Sequence, residues 1–471
     1  MKSTAILALR IATATALLST GVASAEDAEL QEVKATMRAM QQTIESLQKK
    51  VEQLEREKAE SGPADSSMSG RLAQPAIDTT TPADTGIRGP SSDKQLPPVS
   101  LSSPALDPKF KGFVPVPNTP VIFKINAKPR VDVTVDNQNS GDDDRFVTAR
   151  IPVKGSPEYG GGMRSNINSK GSQLSLDARA PTVDGSPRFY FQNDFFGSGS
   201  NEYNFRVRQL YVQYYNFTLG HTYSVFEDSD AWPDTVDYEG PNAVIFARRP
   251  VVQYKWELNP ELNITFGVEQ PGSEVDTSID NDASSVNHLP DGGLKVRWER
   301  ENVGHIHLAG VARSIGVKGP IIGNQDTFGW GVNLSSVWNV FGRDSIQTQL
   351  TYGEGIFRYI NDDFTNNDAA FDENRDLKAL PVFAAVAGYT HSWSDAWRST
   401  LSYGFVNIEN EASQGPDAYH RTHYASANVV WKFSDRLSIG LEGLYGEREV
   451  QSGDSGDVFR FQLGFVYSIF D

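Results

Sequence analysis

From about position 121 to the C-terminus the sequence alternates between apolar and polar residues, and this period of two limits the possible folds more than any other feature. In the last segment one face carries Phe459, Phe461, Leu463, Phe465, Tyr467 and Ile469. The positions between them are mainly polar, as at Arg460 and Gln462, which is typical of a half-buried strand. Beyond the first two dozen residues there is no apolar run near the roughly 20 residues that a spanning helix needs. The pattern therefore predicts strands that face lipid on one side and a wet lumen on the other.

Sixteen such segments can be counted, and the links between them alternate in length. The segments are 121–135, 170–180, 187–196, 203–214, 216–222, 242–256, 261–269, 292–301, 303–313, 326–338, 344–353, 379–393, 396–409, 419–433, 436–448 and 457–470. Short turns on one side and long loops on the other are typical of outer-membrane barrels. We therefore predict an all-β fold over residues 110–471, a 16-stranded antiparallel transmembrane β-barrel. A soluble sandwich is the alternative, but it would not need outward aromatic residues such as Trp393 and Trp397 near strand ends.

The N-terminal residues carry an export signal. Residues 1–25 contain Lys2, a short apolar stretch and an Ala-x-Ala site at 23–25, which together predict a secretory signal peptide. A short membrane anchor is the alternative, although the apolar stretch is too short to span. Because an even number of strands places both barrel ends on the same side, we expect both ends to lie in the periplasm.

Residues 26–60 predict an α-helical coiled coil. Apolar residues recur with spacings of three and four at Leu30, Val33, Met37, Met40, Ile44, Leu47, Val51 and Leu54. This 3.5-residue repeat buries its seam against partner helices and indicates oligomerisation, but the mixed seam residues do not fix the number of helices. An amphipathic helix on the chain's own barrel is the alternative. Residues 61–109 are rich in Pro, Ser, Thr and Gly and predict a disordered or extended linker.

The composition excludes several classes of function. A net charge of −17 argues against a nucleic-acid partner, and the absence of cysteine excludes disulfides and thiolate metal sites. The sequence contains no Gly-x-Ser-x-Gly, His-Glu-x-x-His or phosphate-binding glycine run. We therefore predict no enzymatic activity, no cofactor and no metal site. His305 and His307 lie on one strand face, but without a third ligand we interpret them as wall residues.

Charge is distributed unevenly along the predicted barrel. Segments 223–241, 269–291 and 353–378 hold 6, 6 and 7 acidic residues against 0, 0 and 3 basic ones. Strand positions that face the lumen are mostly basic. We predict that solutes are selected by Arg206, Arg208, Arg248, Arg249, Arg297, Arg130 and Arg188. Arginines in a narrow passage can grip carboxylates bidentately, whereas the alternative is that they pair with wall acids and stiffen the barrel.

Segment 223–241 follows the fifth predicted strand, where porins fold a loop into the lumen. Its candidate constriction residues are Glu227, Asp228, Asp230, Asp234 and Asp237. Acidic residues opposite basic walls would set up a transverse field across the passage. Solutes would then meet charges of both signs, which weakens a simple expectation of anion selectivity.

The segments PRFYFQNDFFGSGSNEYNFRVRQLYVQY, LGHTYSVFEDSDAWPDTVDYEGP and FARRPVVQY, together with the C-terminal segment, resemble the DcaP-type dicarboxylate porin family. The resemblance covers about residues 110–471, and the preceding coiled coil fits the same plan. It implies a trimer of sixteen-stranded barrels with arginines in the channel and small dicarboxylates as solutes. Arg206, Arg208, Arg248 and Arg249 fall within the family-like motifs.

From these observations we expect an outer-membrane porin that passes small anionic solutes, with dicarboxylates foremost. Its expected partners are copies of itself as a homotrimer, outer-membrane lipid and lipopolysaccharide, and its coiled coil would stand in the periplasm. Two alternatives stay open. The barrel could be a general non-selective porin, or a trimeric barrel with an adhesin or structural role.

Overall fold

The computed structural model describes residues 110–197, 203–362 and 367–469. The predicted signal peptide at 1–25, the coiled coil at 26–60 and the linker at 61–109 lie outside these residues. They stay predictions, as does the oligomerisation role of the seam from Leu30 to Leu54.

The described residues form short and long β-strands with three single-turn 3-10 helices. The strands are β1 (Val114–Pro115), β2 (Ile122–Lys128), β3 (Arg130–Asp136), β4 (Arg164–Asn168), β5 (Gln173–Arg179), β6 (Arg188–Asp194), β7 (Arg206–Tyr214), β8 (Phe217–Tyr223), β9 (Arg248–Asn259), β10 (Leu262–Glu269), β11 (Ser284–Val286), β12 (Asp291–Arg300), β13 (Gly304–Gly319), β14 (Gly323–Val340), β15 (Asp344–Glu354), β16 (Ala369–Phe371), β17 (Leu377–Ala379), β18 (Pro381–Ser392), β19 (Trp397–Ile408), β20 (Tyr419–Lys432), β21 (Leu437–Val450) and β22 (Ser455–Tyr467). The 3-10 helices are Thr148–Arg150, Ser229–Ala231 and Phe357–Tyr359. No helix among the described residues is long and apolar enough to cross a membrane.

The main sheet is antiparallel and closes on itself. Strands β5 to β10 pair in chain order, and the ladder continues through β12, β13, β14, β15 and β18 to β22. Strand β22 pairs with β3, β3 with β4, and β2 with β5. Since only Pro129 separates β2 from β3, the two continue one line across the wall. The described residues thus form a closed β-barrel, and the prediction of an all-β antiparallel fold is confirmed.

The two faces of the wall have opposite polarity to those of a soluble protein. In β3, Arg130, Asp132 and Asp136 are buried, whereas Val131 and Val135 are exposed. The same inversion recurs around the barrel. Exposed large apolar side chains include Leu210, Val252, Phe266, Leu334, Leu401 and Phe461. An apolar outer surface around a polar interior is what a barrel in lipid requires, because hydrocarbon cannot solvate polar groups.

Several strand boundaries differ from the sequence prediction, and β4 lies in a stretch that the sequence assigned to a link between strands. Strands β13 and β14 are longer than expected and leave only 320–322 between them, in part because β11 extends the pairing of β13 at its end. Strand β9 begins at Arg248 rather than near 242. The apolar residues at 243–245 are fully buried against other loop residues inside the barrel, so their hydrophobicity reflects an interior core and not a lipid-facing strand.

Candidate functional site

The connection between β8 and β9, residues 224–247, lies inside the barrel. It contacts inward-facing residues of β3, β7, β13, β19 and β21, so it meets the wall on several sides of the lumen. Val225, Phe226 and Val236 are fully buried. A second inward segment, 355–362, packs against this loop in one hydrophobic cluster. These two segments, which connect strands and do not belong to the wall, therefore narrow the lumen.

Glycines in the wall make room for the loop. A Cβ atom added at Gly388 would lie 2.8 Å from Pro233, and one at Gly464 would lie 2.7 Å from Val236. Side-chain carbon atoms do not approach other heavy atoms this closely, so a larger residue at either position would displace the loop. Pro233 and Val236 of the loop thus pack directly against these two glycines of the wall.

Asp228 attaches the loop to three neighbouring strands. Its carboxylate accepts hydrogen bonds from Arg297 at 3.0 Å and from Ser335 at 2.6 Å, and it lies 2.8 Å from His305 Nε2. Burial by itself would raise the pKa of Asp228, but His307, His305 and Arg297 hold it well below its usual range. The carboxylate therefore stays ionised and fixes this end of the loop.

Arg297 is shared among three carboxylates. Besides Asp228 it contacts Asp230 at 2.7 Å and Glu299 at 3.2 Å. The structure thus brings together one predicted selectivity arginine and two predicted constriction acids. The wall therefore carries no excess of positive charge around Arg297, because three carboxylates surround one guanidinium group.

The far side of the loop meets both signs of charge. Asp234 forms an ion pair with Arg398, which agrees with the expectation of a basic wall. Asp237 differs, because its backbone N–H donates to Glu442 at 2.5 Å and a second acid, Glu239, lies close by. Burial and these two carboxyl groups raise the pKa of Asp237 well above its usual range. The transverse arrangement expected from the sequence is therefore incomplete.

Arg130 and Arg188 line the lumen, and each forms an ion pair with a carboxylate. Arg130 donates to both carboxylate oxygens of Asp132, at 2.6 and 2.8 Å. Arg188 does the same with Asp177, at 3.0 and 2.9 Å, and Arg179 shares that carboxylate. Arg130 and Asp132 therefore balance each other in charge, whereas Arg179 and Arg188 share one carboxylate and leave one positive charge in excess.

Arg206 and Arg208 share a single acid. Asp194, which is completely buried, lies 2.6 Å from Arg206 and 2.9 Å from Arg208. Arg208 also donates to the hydroxyl of Tyr238 in the loop at 2.5 Å, and Arg206 lies 5.4 Å from the centre of the Phe196 ring. Two guanidinium groups against one carboxylate leave one positive charge in excess.

Arg249 points into the barrel. Its guanidinium lies 3.8 Å from Asp291 and 4.2 Å from the centre of the Tyr359 ring. Tyr359 belongs to the second inward segment, so Arg249 helps to hold that segment against the wall. The side chain is almost fully buried.

Arg248 and Lys295 are lumen cations that form no ion pair with another described residue. Arg248 stacks 4.5 Å from the centre of the Phe246 ring and lies within electrostatic range of Arg206 and Arg208. Lys295 lies on the inward face of β12, two residues from Arg297. Sequence reasoning placed both in the lumen but had no signal for their lack of a partner, because pairing depends on which strands are neighbours.

The site combines an inward loop fixed to the wall, many ion pairs within the wall, and a small group of cations that outnumber their carboxylate partners. Cations without a carboxylate partner attract anions through electrostatics, most strongly where the dielectric constant is low. Within the described residues no group of three or more His, Asp or Glu side chains is placed to hold a metal ion.

Comparisons with known proteins agree with this geometry. The DcaP outer membrane protein family matches residues 114–469. The chain is similar to the crystal structure of the outer membrane channel DcaP of Acinetobacter baumannii, with 21% identity and a TM-score of 0.66 over 74% of this chain and 97% of that one. It also matches an anion-selective porin from Comamonas acidovorans, with 12% identity and a TM-score of 0.48 over 74% of this chain and 100% of that one. No curated protein matches the chain.

Proposed function

The chain belongs to the DcaP outer membrane protein family, and on that premise we propose that it is an outer-membrane porin through which small anionic solutes, dicarboxylates above all, diffuse. The observation that carries the proposal is the surplus of positive charge around Arg248, where Arg206 and Arg208 lie within electrostatic range and share the one carboxylate of Asp194. A passage of low dielectric strengthens the attraction between such cations and a passing carboxylate.

The excess of positive charge is confined to one region of the lumen. Arg206, Arg208 and Arg248 lie within electrostatic range of one another, and Asp194 is the carboxylate paired with the first two. Arg248 keeps guanidinium N–H groups for a solute, and a guanidinium binds a carboxylate through two parallel hydrogen bonds. This is where a solute would meet more positive than negative charge.

Preference for two carboxylates follows from having two separate cations. Arg248 on β9 and Lys295 on β12 both lie within electrostatic range of the same point, the carboxyl of Glu227. A dicarboxylate can satisfy both cations at once, whereas a monocarboxylate of the same length satisfies one. The additional contact favours dicarboxylates without requiring any new pocket.

The finer architecture belongs to the same proposal. Counting β2 with β3 and β4 with β5 as interrupted single strands supports a barrel of sixteen spanning strands. The heptad seam of residues 30–54 supports an oligomer clamped by a periplasmic coiled coil, and the family resemblance implies that this oligomer is a homotrimer. Lipid and lipopolysaccharide would surround the apolar outer wall.

The test is to replace Arg248→Gln and Lys295→Gln together. We expect succinate uptake into proteoliposomes to fall about tenfold, which corresponds to about 1.4 kcal/mol of lost attraction, and the reversal potential in planar bilayers to lose its anion preference. Neutralising Arg206 and Arg208 instead would leave Asp194 buried without a cation and would disturb folding as well.

The matched control is Arg300→Gln with Arg343→Gln. Both side chains are exposed and form surface ion pairs with Glu261 and Asp395; Arg300 ends β12, and Arg343 lies in the turn between β14 and β15. The control removes the same charge from the chain but not from the lumen, so uptake should stay at the wild-type level. Equal uptake by both double variants would contradict the proposal and favour a general porin, the alternative to which the many satisfied wall pairs already point.

A further inference from the structure

We propose that Glu227 is a titratable competitor for the cations that attract the solute, so that the anion selectivity of the channel depends on whether this one carboxyl is protonated. This inference rests on the proposed function, because it assigns a regulator to the same pair of cations, Arg248 and Lys295. It concerns a loop residue and not a residue of the wall.

Glu227 lies where the two ends of the inward loop meet. The backbone N–H of Ser224 donates to the carbonyl of Ala247 at 2.8 Å, and the N–H of Ala247 donates to Oε2 of Glu227 at 2.9 Å. The other carboxyl oxygen, Oε1, is buried and has no hydrogen-bond partner among the described residues. Glu227 is 3% exposed, so its surroundings are protein and not bulk water.

The charged groups nearest to Glu227 act on its ionisation in opposite directions. Arg248 and Lys295 favour the ionised form of Glu227, whereas Glu269 on β10 disfavours it. Glu269 is itself held in place, since its Oε1 accepts hydrogen bonds from Ser224 at 2.8 Å and from the N–H of Val225 at 2.6 Å. Two acids and two cations thus share one buried region.

Burial has the largest effect on the pKa of Glu227. It raises the pKa of Glu227 to about 8, although the Ala247 N–H and the two cations act in the opposite direction. The other charged groups of the region are Asp228 and Asp230 on the same loop, Arg297 on β12, and the histidines of β13. Those histidines face Asp228, which is already ionised and hydrogen-bonded.

The sign of the effect follows from the charge of each form. Below its pKa, Glu227 is neutral, and the field of both cations acts on a passing anion. Above it, the carboxylate offsets one unit of positive charge at short range, where screening by salt is weak. Anion preference should therefore fall as the pH rises through about 8.

The experiment measures the reversal potential of the full-length wild type and of Glu227→Gln in planar bilayers under a KCl gradient, at about pH 6 and about pH 9. Glutamine keeps an oxygen that can accept the hydrogen bond from Ala247, so the loop ends stay joined. We expect the chloride-to-potassium permeability ratio of the wild type to fall at least about twofold over this interval, and that of the variant to stay constant.

Glu261→Gln is the matched control, because Glu261 is an exposed turn residue paired with Arg300 and should leave the pH step intact. A wild type that is anion-selective at both pH values without a step would overturn this inference and leave the proposed function standing. A step that persists in Glu227→Gln would assign it to another group and overturn it too. A wild type with no anion preference at either pH would overturn both.

Discussion

The lumen contains two kinds of cation that no sequence pattern separates. Arg460 on β22 is completely buried and donates to both carboxylate oxygens of Asp136, at 2.6 and 2.8 Å. Arg248 and Lys295 have no carboxylate partner among the described residues. Many of the basic residues of this wall hold strands and loop together, whereas Arg248 and Lys295 have no such partner and, in our proposal, act on solutes. Removing the first kind should affect stability, and removing the second kind should affect permeation.

The largest effect is expected from breaking a buried pair. Arg460→Gln would leave the carboxylate of Asp136 buried without a cation, and we expect the barrel to lose about 3–5 kcal/mol of stability. The urea midpoint of unfolding in lipid vesicles measures this loss. Combining it with Asp136→Asn should restore much of the stability, because no lone charge then remains. A single variant as stable as the wild type would show that the buried pairs are not what holds the wall.

A smaller loss of stability is expected from weakening the contacts of Asp228, because they attach the inward loop and do not join two wall strands. Asp228→Asn keeps the shape of the side chain but weakens its contacts with Arg297, Ser335 and His305, at an expected cost of about 1–3 kcal/mol. Single-channel recordings should show larger fluctuations of the open current. Because the folded-state pKa of Asp228 lies below the unfolded value, the wild-type contact should be fully present above about pH 4 and be lost as the pH falls further.

The control for the loop is Asp230→Asn. Asp230 contacts the same guanidinium, that of Arg297, but its side chain is partly exposed. Current fluctuations should therefore change less than in Asp228→Asn. Equal fluctuations in the two variants would contradict the anchoring role of Asp228.

The smallest effect is expected from acids outside the lumen wall. Asp276→Asn and Asp282→Asn together remove two negative charges from the 270–290 loop. They leave in place Glu274, which pairs with Arg358 of the second inward segment, and Asp280, which accepts hydrogen bonds from Ile321 and Ile322. Charges in contact with solvent are screened within about 8 Å at physiological salt, so the reversal potential should shift less than it does in the Arg248 and Lys295 double variant. A larger shift would mean that loops and not wall cations determine selectivity.

Much of the architecture followed from the sequence. The period of two over β3 and β22 predicts strands with one apolar face, and the structure places Val131 and Phe461 outward and Arg130 and Arg460 inward. The family resemblance based on the DFFG, FRVRQ and DTVDYEGP motifs is also confirmed. These inferences succeed because they depend on residues that are neighbours in sequence.

The same reasoning was wrong where an apolar run had two possible explanations. Residues 242–247 were placed in a strand, but they belong to the inward loop and pack against the second inward segment. An apolar side chain is buried equally well by lipid or by protein, so hydrophobicity alone does not distinguish the two. The charge opposite Asp237 could not be predicted for a related reason, since Glu442 lies 205 residues away in the chain.

By itself, therefore, the sequence determined which face of each strand meets lipid, because alternation in a strand is a local property. It also determined that the inward face of the strands would be polar. Only the tertiary structure decided which of these charges are neutralised. Arg460 and Asp136 are 324 residues apart and meet because barrel closure makes β22 and β3 neighbours, whereas Arg248 and Lys295 meet no carboxylate partner among the described residues. The strength of an ion pair depends on distances of a few ångströms that no linear pattern specifies.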